Sequence, residues 1–251
     1  MHSGIVFDIK ELTVYDGPGL NVAVFFKGCP LRCWWCHNPE GLELGYTKSQ
    51  NGIIGTEYTS KDLVHVLEQY VPIQRRLGGS LIFSGGEPLM QHAFLVDTLT
   101  RLRSNIVLDT CGYADEEVFH SILPLVNLVY FDLKLLDDVA HIYYTSKSNQ
   151  PILKNIMWLE KCGVPVIIRT PLIPKITDTL PNLREIARIV GSLPNVTRWE
   201  LMHYNPFTRS KYEALNMICP YQETTQSEID IPYLEMNGIL CDKVEVLRIG
   251  G

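Results

Sequence analysis

The sequence predicts an α/β protein folded as one domain over residues 1–251, a partial (β/α)6 barrel of the TIM type. Three observations predict it. Short runs of β-branched and aromatic residues alternate with longer amphipathic stretches, the pattern of right-handed βαβ units and a parallel sheet. Nearly every apolar run ends in a polar or glycine-rich cluster. A parallel barrel gathers such ends on one face, where barrel enzymes place their active sites. The chain has 251 residues, the length of a single α/β barrel, and its 46% hydrophobic content suffices for a substantial core. Six polar strand ends in succession favour a barrel-like sheet over a flat doubly wound one, although six or seven strands do not decide whether it closes.

In chain order, the first expected strand is residues 22–26, which leads through Lys27 and Gly28 into a cysteine-bearing loop. Residues 45–52 are polar and turn-rich and read as an exposed loop. Over residues 61–70, Leu63, Val66, Leu67 and Tyr70 share one side of a helix for which Ser60 is the expected cap. A second strand, 80–84, ends in Ser84-Gly-Gly-Glu-Pro88, and a helix over 93–103 follows with Phe94, Leu95, Leu99 and Leu102 aligned. The third strand, 106–109, ends in Asp109-Thr-Cys-Gly112, and the fourth, 128–132, in Asp132-Leu-Lys134. The fifth, 164–169, ends in Arg169; a helix over 181–193 carries Leu183, Ile186, Ile189 and Val190. The sixth, 199–203, runs into His203-Tyr-Asn205. Residues 208–230 read as an irregular surface excursion before a last strand, 244–247.

The loop after the first strand reads Cys29-Pro-Leu-Arg-Cys33-Trp-Trp-Cys36. Soft thiolates select zinc, copper(I) or iron–sulfur clusters over hard cations. A structural zinc site closes with four ligands, and no second cysteine pair stands nearby. Three cysteines on a four-iron cluster leave one iron without a protein ligand, open to substrate. The spacing therefore suits catalysis better than stapling. His37 as a fourth ligand would instead make a zinc knuckle, and a disulfide with a stray thiol is a third reading. The seven cysteines are odd in number, with Cys111, Cys162, Cys219 and Cys241 scattered singly. The opening Met1-His-Ser-Gly-Ile lacks the basic start and apolar core of a secretory signal, so a reducing cytoplasm with free thiols or metal ligands is expected. No apolar run approaches the roughly 18 residues of a membrane span. A net charge of −6, with no long run of one sign, argues against nucleic acid as the main partner.

The remaining strand ends carry their own chemistry. Gly85 and Gly86 let a ligand approach the backbone, and Glu87 offers a negative charge suited to an ammonium; an ordinary tight turn is the alternative. Asp109 and Asp132 can hold a cation, a ribose hydroxyl or an ammonium, or can cap the helices that follow them. Lys134 and Arg169 either compensate these carboxylates or face a ligand carboxylate. Trp35, before Cys36, can stack on a nucleobase or belong to the core. His65, His92, His120 and His141 have no metal-ligand spacing. No Ser-His-Asp order, Walker loop or dinucleotide fingerprint occurs.

These residues resemble the radical SAM superfamily, marked by Cys-x3-Cys-x-aromatic-Cys, here Cys29, Cys33, Trp35 and Cys36. More narrowly, the chain resembles the glycyl radical enzyme activating enzymes, of which pyruvate formate-lyase activating enzyme is the best-known type. The resemblance runs from Asp16-Gly-Pro-Gly19 through residues 28–39, 83–88, 108–112 and 131–134 to Ile168-Arg169 and Arg248-Ile-Gly-Gly251. It implies a [4Fe–4S] cluster on Cys29, Cys33 and Cys36 in a cluster loop over residues 28–40. S-adenosylmethionine (SAM) would chelate the open iron, one electron would cleave a C–S bond, and the 5′-deoxyadenosyl radical would take a hydrogen from a glycine of a large partner enzyme. It also implies that Gly85, Gly86 and Glu87 receive the SAM ammonium, Trp35 lies against adenine, and Asp109 sits near the amino-acid end. Lys134 and Arg169 would contact the carboxylate and ribose region. Asp109, Thr110 and Asp132, with the Tyr130 carbonyl, match positions that bind a monovalent cation, sodium or potassium. Asp16 and Gly17 match the approach of the partner's glycine loop, and His37, His203 and Asn205 join the cofactor-binding set.

Two departures matter. No cysteine lies between Cys36 and Cys111, so the ferredoxin-like insert with auxiliary clusters is absent, and flavodoxin or ferredoxin is the expected external reductant. The position where pyruvate formate-lyase activases carry histidine after a tyrosine is Asn205, with His203 two residues earlier. A monomer working anaerobically in the cytoplasm, without membrane or nucleic acid, is expected. The alternative is a radical SAM enzyme with another small-molecule or protein substrate, or with altered C–S bond choice.

Overall fold

The computed structural model describes residues 1–13, 19–205, 207–239 and 243–247. The chain opens with β1 (Ser3–Thr13), β2 (Asn21–Phe26), β3 (Thr47–Ser49), β4 (Gly52–Ile54), β5 (Thr56–Thr59), α1 (Ser60–Glu68) and α2 (Val71–Leu77). It continues with β6 (Leu81–Gly85), α3 (His92–Leu99), β7 (Ile106–Thr110), α4 (Glu116–Ile122), β8 (Leu128–Asp132), α5 (Asp138–Thr145) and α6 (Gln150–Leu159). Then come β9 (Val166–Leu172), α7 (Leu180–Ser192), β10 (Val196–His203), α8 (Thr208–Ala214), α9 (Ile231–Met236) and β11 (Val244–Leu247).

Nine strands form one sheet in the order β11-β10-β9-β8-β7-β6-β2-β1-β5. From β2 through β11 every pairing is parallel. The six-strand parallel core is the predicted one, with β11 as a seventh. Among the described residues the sheet keeps two edges, so the barrel is partial.

The differences from expectation lie at the periphery. β1 and β5 add an antiparallel margin beside β2. The expected loop at residues 45–52 contains most of a small β3–β4 hairpin. The expected excursion opens with α8. Ser60 lies inside α1, and the cap is Thr59, whose hydroxyl accepts the Asp62 N–H at 3.2 Å.

Alternation along each strand sorts the residues into two environments. Val22, Val24 and Phe26, with Leu81, Phe83, Leu108, Val129, Ile168, Trp199 and Leu201, face the helices. There they join Leu63, Leu67, Phe94, Phe119, Ile156, Leu183 and Ile186 in the main core. Each such side chain contributes roughly 1.5–3 kcal/mol when fully buried. The opposite pleat faces inward. Ala23, Ile82, Val107, Tyr130 and Ile167 plug the lumen. One step further along, the same inward face carries Ser84, Asp109, Asp132, Arg169 and Glu200. The pairings of Asp109 with Tyr130, Asp132 with Arg169 and Arg169 with Glu200 fix this tier. Above it, Trp35, Leu135, Ile173, Tyr204 and Tyr221 form a separate apolar cluster. Among the described residues no helix is long and apolar enough to cross a membrane.

Candidate active site

The cysteine loop is held at its base and its tip. At the base, Gly28 N–H donates to the carbonyls of Gly41 (2.8 Å) and Glu43 (3.1 Å), and Cys29 N–H donates to Leu42 O (3.0 Å). The fully buried Lys27 ammonium donates to Glu40 O at 2.5 Å and to the Thr47 hydroxyl, drawing the two ends of the loop together. At the tip, Arg32 and Trp34 donate their N–H groups to Thr145 O (2.7 Å) and Tyr144 O (3.1 Å), at the end of α5. Trp34 also packs its ring against Tyr143 and Tyr144, 5.1 and 5.0 Å between centroids.

None of the three cysteines forms a disulfide. Loss of hydration pushes the Cys29 thiol well above its ordinary value, and repulsion from Cys33 and Cys36 adds to the shift. Burial pushes Cys33 up to about 12 despite the nearby Lys134 ammonium, and it raises Cys36 as well. Three buried thiols whose anions would repel one another need a strong cationic centre to become thiolates together. Among the described residues, no three His, Cys, Asp or Glu side chains converge as ligands of a single ion. A four-iron cluster takes each thiolate on a different iron. The donor set therefore fits such a cluster, with one iron left for another ligand.

The strand end of β6 packs directly on this loop. Gly85 has φ +125°, and a Cβ there would lie 2.2 Å from Phe26 N. A Cβ on Gly86 would lie 2.3 Å from Gly28 O and 2.4 Å from Gly41 O. Only bare backbone fits between β6 and the cysteine loop. Glu87 departs from the sequence expectation of a ligand-facing carboxylate. It is fully buried, and its Oε1 accepts from the Thr110 hydroxyl (2.8 Å) and Leu89 N–H (3.1 Å). Its Oε2 accepts from Cys111 N–H (2.7 Å). Burial raises the Glu87 carboxyl, and these donors oppose the rise. The acid joins the ends of β6 and β7.

In the lumen, Asp109 accepts from the Ser84 hydroxyl at 2.7 Å and faces Arg169 Nη1 at 3.7 Å. Asp132 pairs with Lys134. Burial alone would lower Lys134, but Asp132 holds its ammonium well above the ordinary range; Asp109 and Glu200 do the same for Arg169. The Arg169 guanidinium lies 3.6 Å over the Tyr130 ring. These residues come together as expected. Thr110 does not join them. As the neighbour of Asp109 it points to the opposite pleat, where its hydroxyl serves Glu87 and accepts Gly112 N–H at 2.9 Å. The expected cation set therefore loses the Thr110 side chain.

Other expected residues are placed as follows. Trp35 is buried in the apolar cluster above the lumen, the core alternative for this residue. His37 is exposed, and its carbonyl accepts the Lys211 ammonium at 2.9 Å. His203 follows Trp199 and Leu201 on the helix-facing pleat of β10, opposite to Glu200. Asn205 turns into α8: its Oδ1 accepts Phe207 N–H (3.0 Å) and its carbonyl accepts the Thr208 hydroxyl (2.9 Å). Asp16 and Gly17 lie outside the described residues. Sequence reasoning missed Glu200, whose buried carboxylate meets Arg169 Nε at 2.9 Å and Arg198 Nη2 at 2.6 Å. A carboxylate set between Trp199 and Leu201 was the available signal.

Comparison with known proteins agrees with this geometry. Residues 23–187 match the family model of the Radical SAM superfamily. The pyruvate formate-lyase-activating enzyme of Clostridium pasteurianum is 35% identical over 220 residues, covering 86% of this chain and 89% of that protein. The isethionate sulfite-lyase activating enzyme of Nitratidesulfovibrio vulgaris is 31% identical over 281 aligned positions, covering 89% of this chain and 91% of that protein. Among solved structures, a domain of a pyruvate-formate lyase-activating enzyme from Bacteroides vulgatus superposes with a TM-score of 0.52 at 27% identity. That match covers 68% of this chain and 98% of the domain.

Proposed function

This chain belongs to the radical SAM superfamily, and from that premise we propose that it activates a glycyl radical enzyme. The observation that carries the reading is the backbone contact between the three-cysteine loop and the Gly85-Gly86 strand end, beside the charged lumen. With a [4Fe–4S] cluster and SAM bound, the site has the chemistry for one-electron cleavage of SAM and for hydrogen removal from a partner glycine.

The chain's own groups divide the work. Cys29, Cys33 and Cys36 would hold the [4Fe–4S] cluster. The backbone at Gly85 and Gly86 accepts the ammonium of SAM. Lys134 and the free edge of Arg169 receive its carboxylate and ribose region, and Tyr130 and Ile167 close the lumen below against water. Asp109 and Asp132 can share a monovalent cation with the Tyr130 carbonyl, without the Thr110 hydroxyl. Asp16 and Gly17 meet the glycine loop of the partner.

The electron comes from outside, from flavodoxin or ferredoxin. No cysteine stands between Cys36 and Cys111. The alignment to the isethionate sulfite-lyase activating enzyme spans 281 positions against 251 residues here, so that relative carries segments this chain lacks. Both facts support a single radical SAM domain over residues 1–251 with no auxiliary cluster domain. We further infer a cytoplasmic monomer working anaerobically.

The test is anaerobic incubation of the reduced protein, SAM and pyruvate formate-lyase, with EPR on the mixture. A glycyl doublet on the partner, formed with one 5′-deoxyadenosine per radical, is expected for that partner or another glycyl radical enzyme. SAM cleavage that transfers no radical to any glycyl radical enzyme offered would favour a different substrate.

A further inference from the structure

We propose that Glu200 is a positioning residue that aims Arg169 at the ligand carboxylate, an inference that rests on the SAM-binding reading above. Parallel pairing of β9 and β10 sets Glu200 directly beside Arg169. The Glu200 side chain is 3% exposed, and a carboxylate so buried is costly unless it is paired. It has two guanidinium partners. Oε2 accepts from Arg169 Nε at 2.9 Å, and Oε1 faces Arg198 Nη2 at 2.6 Å.

The choice of Nε matters. A guanidinium held through Nε presents its two Nη groups at the far edge, the geometry for a bidentate grip on a carboxylate. Its face is fixed by Tyr130, 3.6 Å below. Its tip is held loosely, because Nη1 stands 3.7 Å from Asp109 Oδ2, beyond hydrogen-bond range. Glu200 and Tyr130 thus fix one edge and one face of Arg169 and leave the tip for a ligand. Asp109 is meanwhile engaged by Ser84 at 2.7 Å. Without the Glu200 charge, Asp109 and Asp132 are the neighbouring carboxylates that remain for Arg169, and Asp109 stands nearest its tip. The guanidinium then closes the gap to Asp109 and competes with the incoming carboxylate.

The test is a double-mutant cycle on SAM binding, measured by equilibrium dialysis with the cluster-loaded, oxidised protein, so that no turnover occurs. Glu200→Gln is expected to weaken SAM about tenfold, a coupling of ordinary size for residues in contact. In an Arg169→Gln background the same change is expected to cost less than about twofold, because the residue through which Glu200 acts is gone. Iron content and thermal melting are followed for each variant. If Glu200→Gln fails to hold the cluster, Glu200→Asp keeps the charge but withdraws it from Nε and should give an intermediate loss that likewise vanishes without Arg169. Unchanged affinity in Glu200→Gln, or an equal loss in both backgrounds, overturns the positioning role while leaving SAM binding intact. Failure of the wild-type protein to bind SAM overturns both readings.

Discussion

Glu87 shows how far a residue's role depends on which way the chain turns it after a strand ends. Three hydrogen bonds, from the Thr110 hydroxyl and the Leu89 and Cys111 N–H groups, reach its oxygens. Glu87→Ala would leave buried donors without an acceptor, at a cost of roughly 3–5 kcal/mol. Glu87→Gln keeps one acceptor oxygen for Thr110 and Leu89 but turns an NH2 toward Cys111 N–H, so it should cost less than alanine yet still destabilise, and urea unfolding of the two variants checks the difference. The cysteines obey a simpler rule. Cys33→Ala should abolish SAM cleavage and lower bound iron, while circular dichroism shows the barrel still folded; retained cleavage would remove Cys33 from the cluster. At this scale the cysteines were legible because spacing alone puts three thiols in one loop. Glu87, Thr110 and Glu200 were not, because a carboxylate's or hydroxyl's partner is set by strand register. The sequence shows alternation, but it does not show which alternate faces the lumen.

Among the elements, the turn after β6 bears the closest contact. Gly86→Ala would drive a methyl into the carbonyls of Gly28 and Gly41 at 2.3 and 2.4 Å. The cysteine loop has to move, and iron content after reconstitution should fall severalfold, whereas Gly191→Ala, with open space around it, should reconstitute normally. The helix α5 carries a pH dependence. His141 is buried, and its Nδ1 lies 2.6 Å from Lys147 O; a carbonyl only accepts, so Nδ1 carries the proton. Burial lowers its pKa from the ordinary 6.5, against the pull of that hydrogen bond. The unfolded chain therefore binds the extra proton first, and stability falls as pH drops below about 6.5. Melting should show this loss between pH 7.5 and 5.5, and His141→Gln should flatten the slope. The parallel strands were legible because strands buried on both faces read as continuous apolar runs. β1 was not, because only Gly4 and Val6 of its eleven residues are buried, and its pattern fades into polar alternation. The β3–β4 hairpin has too few buried residues to leave a signal.

For the whole molecule, the partial barrel brings one thiol-rich loop, one glycine turn and a ladder of paired charges to the same open end. The pairs Asp109–Arg169–Glu200–Arg198 and Asp132–Lys134 alternate in sign, so the lumen holds polar groups without a large net charge. That arrangement suits a zwitterionic ligand, whose ammonium and carboxylate need opposite partners a few ångströms apart. The strand order and the polar tier follow from the alternation of strands and helices in the sequence. The antiparallel margin and the burial of Trp35 follow from tertiary packing, which sequence spacing does not report. A single cluster is expected, so anaerobically reconstituted protein should carry about four irons per chain. About eight or twelve would point to a second cluster and contradict the single-domain account.

The most direct test is EPR of the reconstituted, reduced protein before and after addition of SAM, with the nucleoside products identified. The account predicts a reduced [4Fe–4S] signal that changes when SAM binds, followed by release of 5′-deoxyadenosine. A colourless protein holding one zinc, or a cluster whose signal ignores SAM and cleaves none, would contradict it.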